Sequence, residues 1–210
     1  RTFAPDGPIS SAPTTGPHLH GALGIVRSCI LNAWNRQDSG PPPAFFEDAL
    51  VMRRITVPRI ACDIVDLYVY RIREGTPEFL TLRRVRGELA GTWQAVHGKI
   101  EPGETAWQAA LREMREETGL APECFHQVDA VNTFYLARQD VIHHCPSFAA
   151  RVAADAQVAL NDEHDAYDWL DVESAIARFP WPGLRRAVRE IVEEIIKAGP
   201  ARAWLEIPLE

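Results

Sequence analysis

The sequence predicts an α+β domain. Three observations predict it: β-branched and aromatic runs come first, a sharply bounded amphipathic helix interrupts them, and further strand-like runs lead into a terminal helix. The first strand signal is Ile60-Ala61-Cys62-Asp63-Ile64-Val65-Asp66-Leu67-Tyr68-Val69-Tyr70. Arg73-Glu74-Gly75-Thr76-Pro77 supplies turn residues, so residues 78–84 are expected to return as a hairpin partner. A short strand is expected over 92–97, a helix over 105–117, and strands near 125–136, 141–152 and 166–170. The chain then turns helical over 172–179 and 182–198, where Leu184, Val188, Ile191, Val192 and Ile195 recur at helical spacing.

Residues 1–57 have a different composition. Pro5, Gly7, Pro8, Pro13, Gly16 and Pro17 come early and Pro41-Pro42-Pro43 later, so this reads as an extension with little regular structure beyond one short helix over 22–34. The working domain is expected over 58–197, with a tail over 198–210. A chain of 210 residues that is 46% apolar can bury the core of one ordinary domain. Cys29, Cys62, Cys124 and Cys145 form no C-x-x-C pair and read as reduced, mostly buried thiols. No run is long and apolar enough to span a bilayer, which predicts a cytoplasmic protein without a membrane partner. A formal net charge of -7 disfavours a nucleic-acid polymer as partner, because that binding needs clustered Lys and Arg. It does not disfavour a small polyphosphate that arrives with its own cations. A homodimer remains compatible with the composition.

The stretch that carries chemistry runs from Gly98 to Leu120. Thr105 with Gln108 three residues on fits a capping box, and Gly119 fits the left-handed residue that ends a helix. Trp107, Ala110, Leu111 and Met114 form the stripe expected to face a core, while Glu113, Glu116 and Glu117 gather on another side. Three adjacent carboxylates repel one another and lie where the helix dipole opposes them. Mg²⁺, a hard cation that binds through carboxylates, waters and substrate phosphates, would resolve that conflict. Arg112 and Arg115 could instead neutralise part of the charge, leaving an ordinary salt-bridged face.

The whole pattern removes the ordinary reading. The stretch matches G-x5-E-x7-R-E-U-x-E-E-x-G-U, with U aliphatic, at every defined position. Its fixed residues would coincide by chance in roughly one chain in a million. This is the Nudix box, and the chain resembles the Nudix hydrolase family. The resemblance implies an α/β/α sandwich with a mixed β-sheet between helices. It also implies Mg²⁺, with Mn²⁺ as an alternative, held by Glu113, Glu116 and Glu117, with Arg112 and Glu104 as the pair that orients them. The main-chain carbonyl of His97 is a further candidate ligand. Members of the family often add a glutamate from the loop before the last strand, and Glu163 in Asn161-Asp162-Glu163-His164 stands in that place.

The implied reaction is in-line attack of water on a phosphorus of a diphosphate, with Glu113 or Glu163 taking the proton. Arg83, Arg84 and Arg86 could reach the phosphates. Phe79-Leu80-Thr81-Leu82-Arg83-Arg84 with Trp93-Gln94-Ala95-Val96-His97-Gly98 is similar to the dihydroneopterin triphosphate and dATP pyrophosphatase branch. The expected substrate is therefore a nucleoside triphosphate or pterin triphosphate. Tyr135 stands near a tyrosine of the dinucleoside polyphosphate hydrolases, which makes that activity the alternative. Trp93, Phe134, Tyr135 and Phe148 are candidates for stacking on a base. The competitor from another class is a non-catalytic nucleotide sensor; such domains lose part of the carboxylate set, and this chain retains all of it.

Overall fold

A computed structural model describes residues 57–209 of the chain; the short helix expected over 22–34 lies outside the described residues. In chain order the elements are β1 (Arg59–Ala61), β2 (Ile64–Arg73), β3 (Thr76–Arg84), β4 (Trp93–Gln94), β5 (Val96–Lys99), α1 (Ala106–Thr118), β6 (Cys124–Leu136), β7 (Val141–Arg151), β8 (His164–Asp171), α2 (Val172–Arg178), α3 (Pro182–Glu190), a π-helical segment (Ile191–Ile196) and α4 (Arg202–Leu205).

β2 is the central strand because its first eight residues are all buried, the pattern of a strand covered on both faces. Along one edge it pairs parallel with β7; along the other it pairs antiparallel with β5 at its start and with β3 at its end. β8 extends the sheet beside β3, and β6 extends it beside β7, so the sheet is mixed. The β2–β3 hairpin closes through Glu74 and Gly75, both at positive φ (52° and 79°), the backbone that matches the twist of a two-residue turn.

Side-chain alternation along β2 feeds two cores. Val65, Leu67 and Val69 pack with Leu80, Leu82, Val96 and Phe125 under Ala109, Ala110 and Met114 of α1. Tyr68 and Tyr70 pack on the other face with Phe79 and Phe179 under Leu184, Val188, Ile191 and Ile195. A helix on each face of a mixed sheet is the expected sandwich.

Several expectations are corrected in detail. The first strand is interrupted at Cys62-Asp63. Ala61 faces His143 and Asp66 faces Ser147, so five steps on one strand meet four on the other and the chain bulges. The strand expected over 92–97 splits at Ala95, because β4 pairs with β3 and β5 with β2. The terminal helix changes to π closure, with the Lys197 N–H donating to the Val192 carbonyl at 2.9 Å, a spacing that no propensity signals. Residues past 197 pack as well: Leu205 is buried and the Ile207 N–H donates to the Phe125 carbonyl at 2.8 Å. Cys29 lies outside the described residues; of the other cysteines only Cys145 is buried, Cys124 being half-buried and Cys62 exposed, all as free thiols, so the expectation of mostly buried thiols is corrected. No helix among the described residues is long and apolar enough to cross a membrane.

Candidate active site

α1 begins and ends where its caps dictate. The Thr105 side chain accepts from the Gln108 N–H while the Gln108 side chain accepts from the Thr105 N–H, and Gly119 closes the helix at φ 69°. The helix is rotated relative to the stripe expected from its apolar residues. Ala109, Ala110, Met114, Glu117 and Thr118 are buried, while Trp107 and Leu111 lie half-buried at the margin. One carboxylate of the acidic trio is therefore turned into the fold.

Glu117 is only 2% exposed, and its Oε2 has no hydrogen-bond partner. Burial, then the charges of Glu113 and Glu163, push its carboxyl up to about 9, while Arg84 and the His97 main chain pull the other way. Glu113 is also raised, chiefly by burial, against the pull of Arg112. Glu113 and Glu163 both raise Glu117, and Glu163 raises Glu113 as well, so the three carboxyls lie close together. Glu116 is the exposed member of the set.

Arg112 organises the outer side. It meets Glu104 through two nitrogens, at 2.7 and 3.2 Å, and donates from Nη1 to Glu113 at 2.9 Å and to Glu116 at 3.1 Å. Its Nη2 also donates to the Lys99 carbonyl at 2.8 Å, tying the Gly98–Gly103 loop to the helix. The hydrogen bond and charge of Arg112, with the Glu101 N–H, hold the Glu104 carboxyl below its usual range. Gly98 permits the approach of Glu113: a β-carbon there would stand 2.0 Å from Glu113 Cδ.

The other arginines pair with the acidic turn before β8. Arg84 meets Glu163 at 3.2 Å, Arg86 meets Asp162 at 2.8 Å, and Arg83 meets Asp165 at 2.7 Å. The Val85 N–H donates to the Glu163 carbonyl at 2.9 Å, which fastens this turn to the end of β3. Arg84 and Glu163 thus reach the carboxylate cluster. Arg83 does not, because both oxygens of Asp165 hold its guanidinium. Nor does Tyr135, which is 54% exposed and donates its hydroxyl to Asp140 at 2.8 Å. The His97 imidazole turns away from α1, its Nδ1 2.8 Å from Asp66 Oδ1. Among the stacking candidates, Phe148 is core, stacked on Phe125 at 5.5 Å, and Trp93 is covered by Arg178 at 4.3 Å. Phe134 is partly exposed and stacked on His143.

These residues fit a divalent cation. A buried carboxylate oxygen without a partner, repelled by two more carboxylates, is costly unless a positive ion completes the group, and an all-oxygen donor set suits Mg²⁺. Such a set, on one helix over a mixed sheet, belongs to the class of sites that present a divalent cation to a polyphosphate.

Comparison with known proteins assigns the family. The NUDIX domain model matches residues 64–191, and the chain belongs to the Nudix hydrolase family. It is 39% identical over 127 residues to a protein named octanoyltransferase from Myxococcus xanthus, spanning 60% of this chain and only 35% of that protein's length. It is 36% identical over 95 residues to the nucleoside triphosphatase NudI of Klebsiella pneumoniae, covering 42% of this chain and 67% of the relative. The asymmetrical bis(5'-nucleosyl)-tetraphosphatase of Caenorhabditis elegans is 30% identical over 112 residues, 52% of this chain and 79% of its own. Among solved structures, the E. coli dihydroneopterin triphosphate pyrophosphohydrolase superposes with a TM-score of 0.54 at 25% identity, over 68% of this chain and 99% of its own.

Proposed function

We propose that the chain is a Mg²⁺-dependent pyrophosphohydrolase that cleaves a phosphoanhydride bond of a nucleoside triphosphate or pterin triphosphate by attack of water. The observation that carries this reading is Glu117, a buried carboxylate with a partnerless oxygen beside Glu113 and Glu163, with Arg84 facing the same group. The relatives named for nucleoside triphosphate and pterin triphosphate chemistry support the substrate class.

Glu113, Glu116 and Glu117 would hold the cation. When bound, it neutralises charge on the phosphate oxygens and lowers the pKa of the attacking water. The protein's own groups do the rest. Arg112 fixes Glu113 and Glu116 in place, and its anchor on Lys99 fixes the loop over them. Arg84, half-buried between β3 and the turn before β8, is the guanidinium placed to receive a phosphate oxygen. Glu163 is the proton acceptor from water: its carboxylate is partly exposed and free of Arg112, whereas Glu113 is held by Arg112 and covered by Gly98.

The C. elegans relative favours a second reading, hydrolysis of a dinucleoside polyphosphate. A panel of nucleoside triphosphates, pterin triphosphate and dinucleoside tetraphosphate, assayed for phosphate and pyrophosphate release with Mg²⁺, separates the two. Glu116→Gln is expected to lower turnover by about 100-fold or more while the fold is retained. Turnover of no substrate in the panel would replace both readings with a nucleotide sensor.

A further inference from the structure

A second cluster of ligand-type side chains lies on the other face of the sheet. Val65, Leu67 and Val96 belong to the core under α1, so their strand neighbours Asp66 on β2 and His97 on β5 point toward the α3 side. Cys145 of β7 joins them there. One donor atom from each of Asp66, His97 and Cys145 lies within 4.8 Å of the others.

The polar groups here are buried and partner chiefly one another. Asp66 is 4% exposed and Cys145 is 0% exposed. One Asp66 oxygen meets His97 Nδ1 at 2.8 Å; the other has only Asn132 Nδ2, at 3.4 Å. The Cys145 thiol has the carbonyl of its own neighbour Pro146 at 3.8 Å and the Asp66 carboxylate beside it, and burial together with that carboxylate pushes the thiol well above its ordinary value. Beside them the hydroxyls of Tyr68 and Ser147 are buried next to each other, with no other partner among the described residues. Tyr68 lies near enough to Asp66 and Cys145 for both to raise its phenol, after burial itself. A buried carboxylate, a thiol and two hydroxyls thus form a polar pocket within an otherwise apolar core, with an imidazole at its rim.

We propose that Asp66, His97 and Cys145 bind one divalent cation of the zinc class, in a site separate from the carboxylates of α1. Carboxylate oxygen, imidazole nitrogen and thiolate sulfur form a three-ligand set of the kind that leaves one position for water. The sulfur selects a borderline cation such as Zn²⁺ over Mg²⁺, which the all-oxygen cluster on α1 prefers. The His97 side chain is 35% exposed and gives the cation a route from solvent. On binding, the thiol proton leaves to solvent as the sulfur–metal bond forms; the Nδ1 proton shared with Asp66 is also released, Nε2 takes one up, and His97 coordinates as neutral imidazole through Nδ1. The cation then ties β2, β5 and β7 together across the sheet. This site does not depend on the anhydride chemistry of α1.

Cobalt(II) reads the sulfur ligand directly. The full chain, stripped with chelator and returned to excess Mg²⁺ to fill the α1 cluster, is titrated with Co²⁺ and then with Zn²⁺ as competitor. One equivalent of Co²⁺ should produce a thiolate-to-cobalt charge-transfer band in the near ultraviolet, and Zn²⁺ should abolish it. Cys145→Ser should lose the band, His97→Ala should weaken binding by roughly 100-fold, and Glu116→Gln and Cys62→Ser should leave both unchanged. Absence of the band in the wild-type protein overturns the proposal, and that result needs no variant to fold. A band that survives in Cys145→Ser, or vanishes in Glu116→Gln, overturns it equally.

Discussion

Glu117→Gln should make the metal-free protein more stable, and increasingly so as pH rises. In the folded chain the carboxyl is pushed up to about 9 by burial and by Glu113 and Glu163, against an ordinary value near 4.3 in the unfolded chain. Between those values the folded state holds the proton more tightly than the unfolded state. Stability contributed by this group is therefore complete below about pH 4 and declines as pH rises toward 9. The decline approaches ~1.4 kcal/mol per pH unit, so moving from about pH 7 to 8.5 should cost the wild type on the order of 2 kcal/mol. That window avoids His126 and His164, both held below their ordinary value mainly by burial and so neutral in the folded and unfolded chains alike above pH 7. Glutamine keeps the shape without the titration, so its stability should be nearly level over the same window. Urea unfolding in chelator at the two pH values measures the difference. Added Mg²⁺ should restore the wild type at pH 8.5 and do little for the variant, because only the wild type gains an ion pair that the unfolded chain lacks. Parallel pH slopes for the two proteins would refute the reasoning, and so would a variant less stable than wild type at pH 8.5 without metal.

Gly98→Ala places a β-carbon 2.0 Å from Glu113 Cδ, so kcat should fall by about 100-fold while far-ultraviolet circular dichroism is retained. Arg84→Ala should lower kcat/KM by roughly 100-fold in steady-state assays, whereas Arg83→Ala, whose guanidinium is committed to Asp165, should stay within about threefold of wild type. Glu163→Gln should lower kcat by about 100-fold with Mg²⁺ affinity retained by calorimetry, and a kcat within about threefold of wild type would remove Glu163 as the base. His126 is fully buried with neither ring nitrogen bonded. Its lowered pKa stabilises the fold above about pH 6.5 and is lost as pH falls, so His126→Leu should flatten the acid limb of urea stability measured between about pH 7 and 5.

The sequence carried the strands, helices and carboxylates because each is a short-range pattern. The capping box at Thr105 and Gly119 bounded α1 to within a residue, and the hairpin turn was legible in Glu74-Gly75. What it did not carry was the rotation of α1 about its axis. Trp107 and Leu111 extend the apolar stripe on paper, yet the sheet takes Ala109, Ala110 and Met114, whose small or flexible side chains allow closer packing, and Glu117 is drawn in with them. The pairing of Arg83, Arg84 and Arg86 with Asp165, Glu163 and Asp162 was present as two matched charge runs. Only the β3–β8 register, which sets which acid meets which base, separates Arg84 from Arg83 as a candidate for phosphate. Asp66, His97 and Cys145 lie on three strands far apart in sequence, so no spacing could announce them.

The same geometry explains why the site is built into the sheet face of a helix rather than its solvent face. A carboxylate in water costs little to ionise and gains little from a cation, because solvent competes for both. Glu117 is nearly dry, and its unpaired oxygen makes the cation-free site unfavourable. Glu116, exposed and held by Arg112, adds charge without that penalty. One buried carboxylate would thus supply the proposed site's preference for a cation, while Arg112, Glu104 and the Gly98 approach hold the group together. Were relaxation allowed, the repulsion among Glu113, Glu117 and Glu163 would be relieved by side-chain rotation and the affinity for a cation would fall with it. The packing around α1 is therefore part of the chemistry, and a substitution such as Met114→Ala, which loosens the helix without touching a ligand, should weaken Mg²⁺ binding as well as stability.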